Sequence, residues 1–426
     1  MIVMVVGGGG REHALIRAMR RNPSVTKVYA LPGNGGIARD AECVPIAATD
    51  VEAVVRFAVE AKVDFAFVAP DDPLVLGEAD ALRARGIPTF GPSRAAARIE
   101  GSKVFAKDLM AKYGIPTAAY RVFDDARAAL RYARLCPLPT VVKADGLALG
   151  KGVRIAKTRA EAEDAVRAMM QERVFGESGS RVVFEEFLTG AEVSVLALTD
   201  GQRIAPLISS MDHKRALARD EGLNTGGMGA VAPNPFYTDE IAQRCMETIF
   251  LPTLRAMEAE GCPFRGCLYF GLMLTQDGPK VIEYNCRFGD PEAQVVLPLL
   301  ESDPLEAFLA VAERRLEPDK IKLSPDAACC VMVVSGGYPE HYEKGFPISL
   351  GNAPDMPDVA LYHSGTALRS GTLVTAGGRV LGATATAASL EQAVRRAYAA
   401  AREIDFQGAY MRPDIGEQAL ARLQGE

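Results

Sequence analysis

The chain has 426 residues, 48% hydrophobic and 24% charged, with a formal net charge of -6. That balance excludes intrinsic disorder, and an acidic chain without a Lys/Arg-dense block is not expected to bind nucleic acid. The length predicts two to four domains. The apolar run Met1–Val6 has no basic leader and ends in four glycines. Neither a signal peptide nor a membrane span is therefore expected. The eight cysteines form no C-x-x-C pair, and the four histidines lie far apart. They read as reduced, buried cysteines of a cytoplasmic protein without a structural zinc site.

The first hundred residues alternate short apolar strands with amphipathic helices. Strands are predicted over Ile2–Val6, Lys27–Leu31, Phe65–Ala69 and Pro88–Phe90, with a helix over Glu12–Arg21. This βαβ rhythm implies a parallel sheet covered by helices. A helix from about Ser102 to Tyr113 is stopped by Gly114-Ile115-Pro116. A compact α+β stretch follows over 121–189, with strands Thr140–Lys143, Val153–Ala156 and Val182–Phe187 and a helix around Glu161–Met170. Next come a strand Val193–Thr199, a glycine-rich loop over 222–229 and a long helix near Ile241–Met257. Cys267–Thr275 and Lys280–Asn285 form a hairpin around Asp277-Gly278. After a linker at Glu317–Lys322, strands Ala327–Val334 and Arg379–Ala385 and a helix Leu390–Glu403 suggest a separate small domain.

Four stretches carry chemistry. Gly7–Gly10 follow a strand and open a helix, where free N–H groups and the positive dipole end suit an anion. Their spacing misses the dinucleotide fingerprint, and the second strand ends in Leu31-Pro32-Gly33-Asn34 without an acidic residue. A phosphate or small-substrate loop is expected, since four glycines exceed the needs of a tight turn. Lys143–Gly152 brings Lys143 on a strand, then Gly150 and Lys151 in a loop able to close over a triphosphate. It lacks the Ser/Thr of a Walker A loop, and a surface loop is an equal reading of this piece alone. Glu185, Glu186, Phe187 and Leu188 end a strand and offer backbone and an apolar slot to an adenine, with Glu192 near for ribose hydroxyls. On the strand ending at Asn285, Glu283 and Asn285 share one face and present two hard oxygen ligands for Mg²⁺. Arg287 falls on the same side if the strand continues, ready for an anion.

Taken in order, several motifs carry a family resemblance. They are Gly-Gly-Arg-Glu-His-Ala (9–14), Pro-Gly-Asn (32–34), Gly-Ser-Lys (101–103) and the 143–152 loop. Glu-Glu-Phe-Leu (185–188), Asp-His-Lys-Arg (212–215), Asn-Thr-Gly-Gly-Met-Gly (224–229) and Glu-Tyr-Asn-Cys-Arg-Phe-Gly-Asp-Pro-Glu (283–292) follow. Arg-Pro-Asp-Ile-Gly (412–416) closes the series. The chain resembles the phosphoribosylamine–glycine ligases, or glycinamide ribonucleotide synthetases, of the ATP-grasp superfamily.

The resemblance implies a multidomain α/β and α+β fold. An N-terminal parallel-sheet domain (1–101) would precede a two-part ATP-grasp fold, central over 102–120 plus 190–318 and lid over 121–189. A small α+β domain (319–426) would follow. It implies ATP-dependent joining of glycine to 5-phosphoribosylamine with Mg²⁺ or Mn²⁺, through a glycyl phosphate, in a monofunctional cytoplasmic enzyme. A monomer is expected, with a dimer as the alternative and no membrane or nucleic-acid partner. Carried over by residue, Lys103, Lys143, Gly150, Lys151, Glu185, Glu186, Phe187, Leu188 and Glu192 hold the nucleotide, and Glu283 and Asn285 the metal. Gly9, Gly10, Asn34, Asp71, Lys214, Gly226, Gly227, Arg287 and Asp290 hold the substrates, while Arg287, Lys143 and Asp212 take part in catalysis. Two departures stand out: Ala69-Pro70-Asp71 replaces the usual Gly-Pro-Glu, and Gly271 occupies the place of a third metal carboxylate. Rival readings are another ATP-grasp ligase or carboxylase, an NAD-dependent oxidoreductase and a non-catalytic nucleotide sensor.

Overall fold

The computed structural model describes residues 1–148 and 151–425. Its first sheet has five parallel strands in the order Glu42–Cys43, Lys27–Pro32, Ile2–Gly7, Phe65–Val68, Thr89–Phe90. Val3, Met4, Val5 and Val6 are fully buried, as a parallel strand covered on both faces requires. The chain winds outward in both directions from Ile2–Gly7. The topological switch point therefore lies at the C-terminal ends of the three central strands, where such sheets bind ligands. Gly9, Asn34 and Asp71 each follow one of those ends. The first helix, Gly10–Met19, starts two residues earlier than expected. Glu12 Oε2 accepts the Gly9 N–H at 2.6 Å, which closes the first turn around Gly10 and Arg11.

A small antiparallel sheet orders Tyr120–Phe123, Val182–Glu186, Thr140–Ala144 and Val153–Ala156. It has its own core, in which Ala129, Val142, Ala162, Val166 and Phe184 meet. Asp125 and Thr158 cap its two helices, Ala126–Ala133 and Arg159–Val166. Beneath it lies a second antiparallel sheet, ordered Ile204–Pro206, Ala191–Thr199, Gly266–Thr275, Gly278–Asn285. Gly278, at φ +118°, starts the return strand of the hairpin in a conformation that favours glycine. The helix expected over 241–257 runs from Asp239 to Ala259 with a wider turn at Met246–Phe250. Pro252 has no N–H to give the turn before it, and the helix widens there.

The last sheet does not respect the boundary expected near residue 319. Its order is Met211–Asp212, Gly229–Ala232, Ala327–Ser335, Arg379–Ala387, Val359–His363, with Ala409–Tyr410 beside Ala327–Ser335. Every residue of Gly229–Ala232 and of Ala327–Ser335 is buried, so each strand needs neighbours on both edges, and they pair with each other. One core continues from Val3 and Leu15 through Phe288 and Val296 to Val331 and Leu381. Phe67 and Phe90 stack at 4.4 Å, with Phe308 5.1 Å and Phe288 6.2 Å from Phe67. This cluster fixes the loop after Asn285 on the first sheet.

Candidate active site

Glu283 and Asn285 are half-buried on one face of their strand. Tyr284 points the other way, buried, with its hydroxyl 2.9 Å from Thr253 Oγ1. Gly271 lies directly across the hairpin from Glu283, and Tyr269 across from Asn285. A Cβ at Gly271 would come within 3.1 Å of Glu283 Cγ, so its absence leaves the Glu283 stem uncrowded. The register slips beside this point and Ile282 bulges out of the ladder. Its carbonyl accepts from Lys143 Nζ at 3.1 Å. Sequence spacing carries no sign of that bulge.

Lys143 Nζ also lies 3.0 Å from Glu185 Oε2, and Lys107 Nζ lies 3.0 Å from the same oxygen. All three side chains are buried, and Glu185 Oε1 has no partner. Lys107 escaped the sequence reading, although it lies one helical turn from Lys103 on Lys103–Tyr113 and could have been flagged. Burial pushes Lys107 down to about 8 against the pull of Glu185. Burial likewise lowers Lys103, whose Nζ donates to Gly146 O at 3.3 Å. Asp145 Oδ1 accepts from Ser102 Oγ and Val104 N–H, each at 2.9 Å, and so ties the end of the Lys143 strand to the start of the Lys103 helix.

Lys151 Nζ donates to Pro339 O at 3.4 Å; Gly150 lies outside the described residues. Glu186 is joined to Ala119 through its N–H (2.8 Å) and its carboxylate (3.2 Å), with half-buried Phe187 and Leu188 beyond. Lys214 Nζ is 3.1 Å from Glu192 Oε2 and 3.7 Å from Glu283 Oε1. Glu192 chiefly raises Lys214. Burial pushes Glu283 up, but Lys214, Lys143 and Lys103 outweigh it and hold the carboxyl below its ordinary value.

The strand ends at Asn285, so Arg287 enters from a loop rather than as the strand's next inward residue. Its Nη2 lies 2.8 Å from Glu100 Oε1 and 3.7 Å from Asp71 Oδ2. Its Nε is buried without a partner. Glu100, also missed in the sequence, accepts the Cys286 N–H on its other oxygen at 2.7 Å. Burial raises Asp71, and Arg287 and Arg11 reverse this to leave it acidic. Asp71 thus links the switch point of the first sheet to the loop that follows Gly278–Asn285.

The glycine loop is tighter than expected. A Cβ at Gly7 would lie 2.6 Å from Glu12 Cγ, one at Gly9 2.7 Å from Glu12 Oε2, and one at Gly10 2.6 Å from Gln294 Nε2 and Ser364 Oγ. At Gly8 it would run into Gly33 O. Close packing therefore requires glycine at Gly7, whose φ is +120°, and at Gly8, which meets backbone, whereas at Gly9 and Gly10 the crowding atoms are side-chain ends. Asn34 Nδ2 donates to Gly8 O (2.9 Å) and His363 O (2.8 Å), and its Oδ1 accepts from Gly36 and Ile37 N–H, each at 2.9 Å. Its amide thus ties the loop to the last sheet.

Opposite, Arg379 bonds Asp290 Oδ2 (3.2 Å), Asp290 O (2.7 Å) and Gly226 O (2.6 Å). Gly227, at φ +110°, brings its backbone against Pro291 and Asp212. Among the described residues no group of three or more His, Cys, Asp or Glu is placed to hold a metal ion. Glu283 and Asn285 alone fit an ion that also leans on nucleotide phosphates.

A small sheet standing over a hairpin that carries Glu283 and Asn285, with buried lysines between them, defines the ATP-grasp class. Consistent with that fold, the biotin carboxylase–β,γ-ATP complex from Campylobacter jejuni superposes with a TM-score of 0.77 at 16% identity, over 99% of this chain and 98% of that one.

Family models described as phosphoribosylglycinamide synthetase match the chain throughout: N domain over 1–100, ATP-grasp (A) domain over 101–293 and C domain over 328–418. Phosphoribosylamine–glycine ligase from Vibrio vulnificus is 48% identical over all of both chains. The Rhizobium meliloti enzyme of that name is 48% identical over 99% of each. The crystal structure of phosphoribosylamine–glycine ligase from Thermotoga maritima has a TM-score of 0.85 at 34% identity, over 97% of this chain and 100% of that one. The chain belongs to the phosphoribosylglycinamide synthetase family.

Proposed function

We infer that the chain ligates glycine to 5-phosphoribosylamine at the expense of ATP, giving glycinamide ribonucleotide, ADP and phosphate in purine biosynthesis. Full-length kinship supports the reaction. The observation that carries it in the geometry is the Asp71–Arg287 contact, 3.7 Å, which brings the ligand edge of the first sheet to the metal strand.

Condensing a carboxylate with an amine is uphill in water, so the carboxylate must be activated. A glycine carboxylate oxygen attacks the γ-phosphorus and ADP leaves. The phosphoribosylamine nitrogen then attacks the acyl carbon, the C–O bond to phosphate breaks, and the nitrogen loses a proton. No enzyme nucleophile is required; positioning and charge stabilisation do the work. In this reading Lys143 and Lys103, with Lys107 behind, face the phosphates. Phe187 and Leu188 line the adenine slot beside the backbone of Glu186, and Glu192 meets the ribose. Lys151 and Gly150 belong to the loop over the phosphates.

Glu283 and Asn285 would hold Mg²⁺ or Mn²⁺, which supplies charge neutralisation at the phosphoryl oxygens when bound. Arg287 steadies the glycyl phosphate. Asp71 meets the sugar, with Gly9 and Gly10 at its phosphate and Asn34 setting the shape of that loop. Lys214, Gly226, Gly227, Asp290 and Asp212 surround the amino-acid side. We place the enzyme in the cytoplasm as a monomer; among the described residues no helix is long and apolar enough to cross a membrane.

The test is ADP release with glycine, phosphoribosylamine, or both. Equal amounts of ADP, phosphate and glycinamide ribonucleotide, only with both, are expected. AMP and pyrophosphate, or ADP release indifferent to the amine, would overturn the reading.

A further inference from the structure

Val359–His363 lies at the edge of the last sheet and, among the described residues, has Arg379–Ala387 as its one neighbouring strand. Its outer backbone groups need partners from elsewhere. At His363 both come from side chains of the first domain. The His363 N–H donates to His13 Nδ1 at 2.9 Å, and its carbonyl accepts from Asn34 Nδ2 at 2.8 Å. Each of those residues also holds the glycine loop. Asn34 Nδ2 donates to Gly8 O at 2.9 Å, and the His13 N–H donates to Gly9 O at 3.1 Å. The Gly35 N–H adds a bond to Thr366 O at 2.9 Å, and Gly36 leaves the room that the His363 ring fills.

The contacts also fix the state of the His13 ring. Nδ1 faces an N–H and can only accept, so the ring proton sits on Nε2, 2.9 Å from Asp40 Oδ2. Arg17 Nε lies 3.0 Å from that same oxygen and balances the Asp40 charge without a second proton on His13. His13 is fully buried, and burial lowers its imidazole against the pull of Asp40. The His363 ring, 5.4 Å away, contacts Thr366 Oγ1 at 3.3 Å, and burial lowers it to about 3, so it brings no charge to the contact. Tyr362 meets His13 edge to face at 6.0 Å. The site described above gives His13 no task, yet both of its ring nitrogens are committed.

We propose that His13 is a positioning residue for the glycine loop: its Nδ1 fastens the edge of the last sheet to the turn that receives the phosphate of phosphoribosylamine. This rests on the reaction inferred above and assigns the last sheet a part in it. A helix N-terminus holds an anion through N–H groups aimed at one point, and glycines set no shape of their own. The loop therefore takes its shape from what grips it. Glu12 holds the Gly9 N–H, His13 the Gly9 carbonyl and Asn34 the Gly8 carbonyl. Of these three side chains, His13 and Asn34 are themselves anchored on the one residue His363. Without the Nδ1 bond, the His13 end of the helix is free to shift, and Gly9 and Gly10 shift with it.

The test uses the full-length enzyme and steady-state kinetics with each substrate varied in turn. His13→Gln keeps a polar end at the place of Nε2, toward Asp40, and has none at that of Nδ1. His13→Asn does the reverse, with its Oδ1 at the place of Nδ1. His13→Gln should raise the KM for phosphoribosylamine by roughly five- to tenfold, the effect of one lost hydrogen bond that leaves a buried N–H unpaired. Its kcat and its KM for glycine and ATP should stay within about twofold of wild type. His13→Asn should restore the phosphoribosylamine KM to within about twofold of wild type. Equal behaviour of the two variants, a larger change in His13→Asn, or a fall in kcat without a change in that KM would overturn the assignment. A second measurement needs no variant. Backbone hydrogen exchange of the wild-type enzyme is read at His363, with and without ribose 5-phosphate at a concentration that inhibits competitively with phosphoribosylamine. The His363 amide should exchange slowly, and at least about threefold more slowly with the probe bound, because the probe and His363 grip the same loop. Fast exchange at His363, or exchange indifferent to the probe, would overturn the coupling. Absence of glycinamide ribonucleotide from wild-type reactions would instead sink the reaction itself.

Discussion

Two parts of the proposed cleft, the one assigned to the nucleotide and the one assigned to the amino acid, treat buried charge in opposite ways. On the nucleotide side the buried lysines arrive already satisfied: Lys143 and Lys107 share Glu185 Oε2. On the amino-acid side Lys214 bridges Glu192 and Glu283, while Asp212 Oδ1 is buried without a hydrogen-bond partner among the described residues. The difference follows from what each side must receive. A nucleotide brings several negative charges and can draw lysines from their internal partners, which meanwhile keep an empty cleft stable. A small zwitterion brings one positive charge, and a lysine paired with Asp212 would compete with it on equal terms, whereas Lys214 is held by Glu192 and Glu283.

The largest effect should come from removing the metal-strand carboxylate. Glu283→Gln keeps the shape but deletes the charge and the partner of Lys214. Turnover should fall by roughly 10²–10³-fold, as expected when several kcal/mol of phosphoryl charge stabilisation are lost. Adenosine should still bind, since the slot at Phe187 and Leu188 is untouched. Isothermal titration of Mg²⁺ should show weak binding to the free enzyme and tight binding with ADP. Tight binding without nucleotide would break the contrast, because it would mean that the cleft holds positive charge on both sides before substrate arrives.

Lys143→Met probes whether the paired lysines serve catalysis or merely neutralise Glu185. A loss of roughly 10²-fold in turnover is expected for one transition-state charge contact. The fold should survive, because Glu185 Oε2 keeps Lys107 at 3.0 Å. Wild-type turnover with a lowered melting temperature would reduce Lys143 to a structural counter-ion.

How far the sequence reached differs between these two sides for a physical reason. The strand pair Glu283 and Asn285, and Lys143 at a strand end, obey short local periodicities, so their facing could be read from spacing. Asp71 came from the family resemblance, at Ala69-Pro70-Asp71. Glu100 and Lys107 were not seen, because each acquires its role from a partner far away in sequence: Arg287 for Glu100, Glu185 for Lys107. The four-glycine loop was read as a ligand cradle from its place between strand and helix and from its glycine count. Packing against Glu12, Gly33, Gln294 and Ser364, two of them over 280 residues away, adds a constraint that reading did not contain. The joining of Met211–Asp212 and Gly229–Ala232 to the last sheet was not foreseen for a similar reason, as both strands are short and lie before the apparent linker.

Asp71→Ala sharpens the boundary between the two sides. The substitution removes a carboxylate 3.7 Å from Arg287 and leaves Glu100 as that arginine's partner. If Asp71 meets a sugar hydroxyl, the KM for phosphoribosylamine should rise roughly tenfold, the equivalent of one hydrogen bond to a charged group at about 1.5–3 kcal/mol. The KM for ATP should stay unchanged. An equal rise for ATP would show that the first sheet's edge and the nucleotide side are one electrostatic unit, not two.

The smallest effect comes from a carboxylate outside the cleft. Glu78 is fully buried at the start of the helix Glu78–Arg83, and neither of its oxygens has a partner. It shares the isolation of Asp212 Oδ1. Burial pushes its carboxyl up to about 8. In the unfolded chain a glutamate titrates near 4.3. Between those two values the folded protein keeps a proton that the unfolded chain has lost, so stability must fall as pH rises through the window and level off above it. The wild-type melting temperature should therefore drop by roughly a few degrees between pH 5 and pH 8.5, beyond the change of a Glu78→Gln variant, which has no proton to lose. At pH 8.5 the variant should be the more stable protein, with unaltered kinetics, and at pH 5 the two should converge. Parallel melting curves across the whole range would mean that the folded protein holds Glu78 ionised with water as its partner. The comparison of buried carboxylates would then rest on the cleft alone.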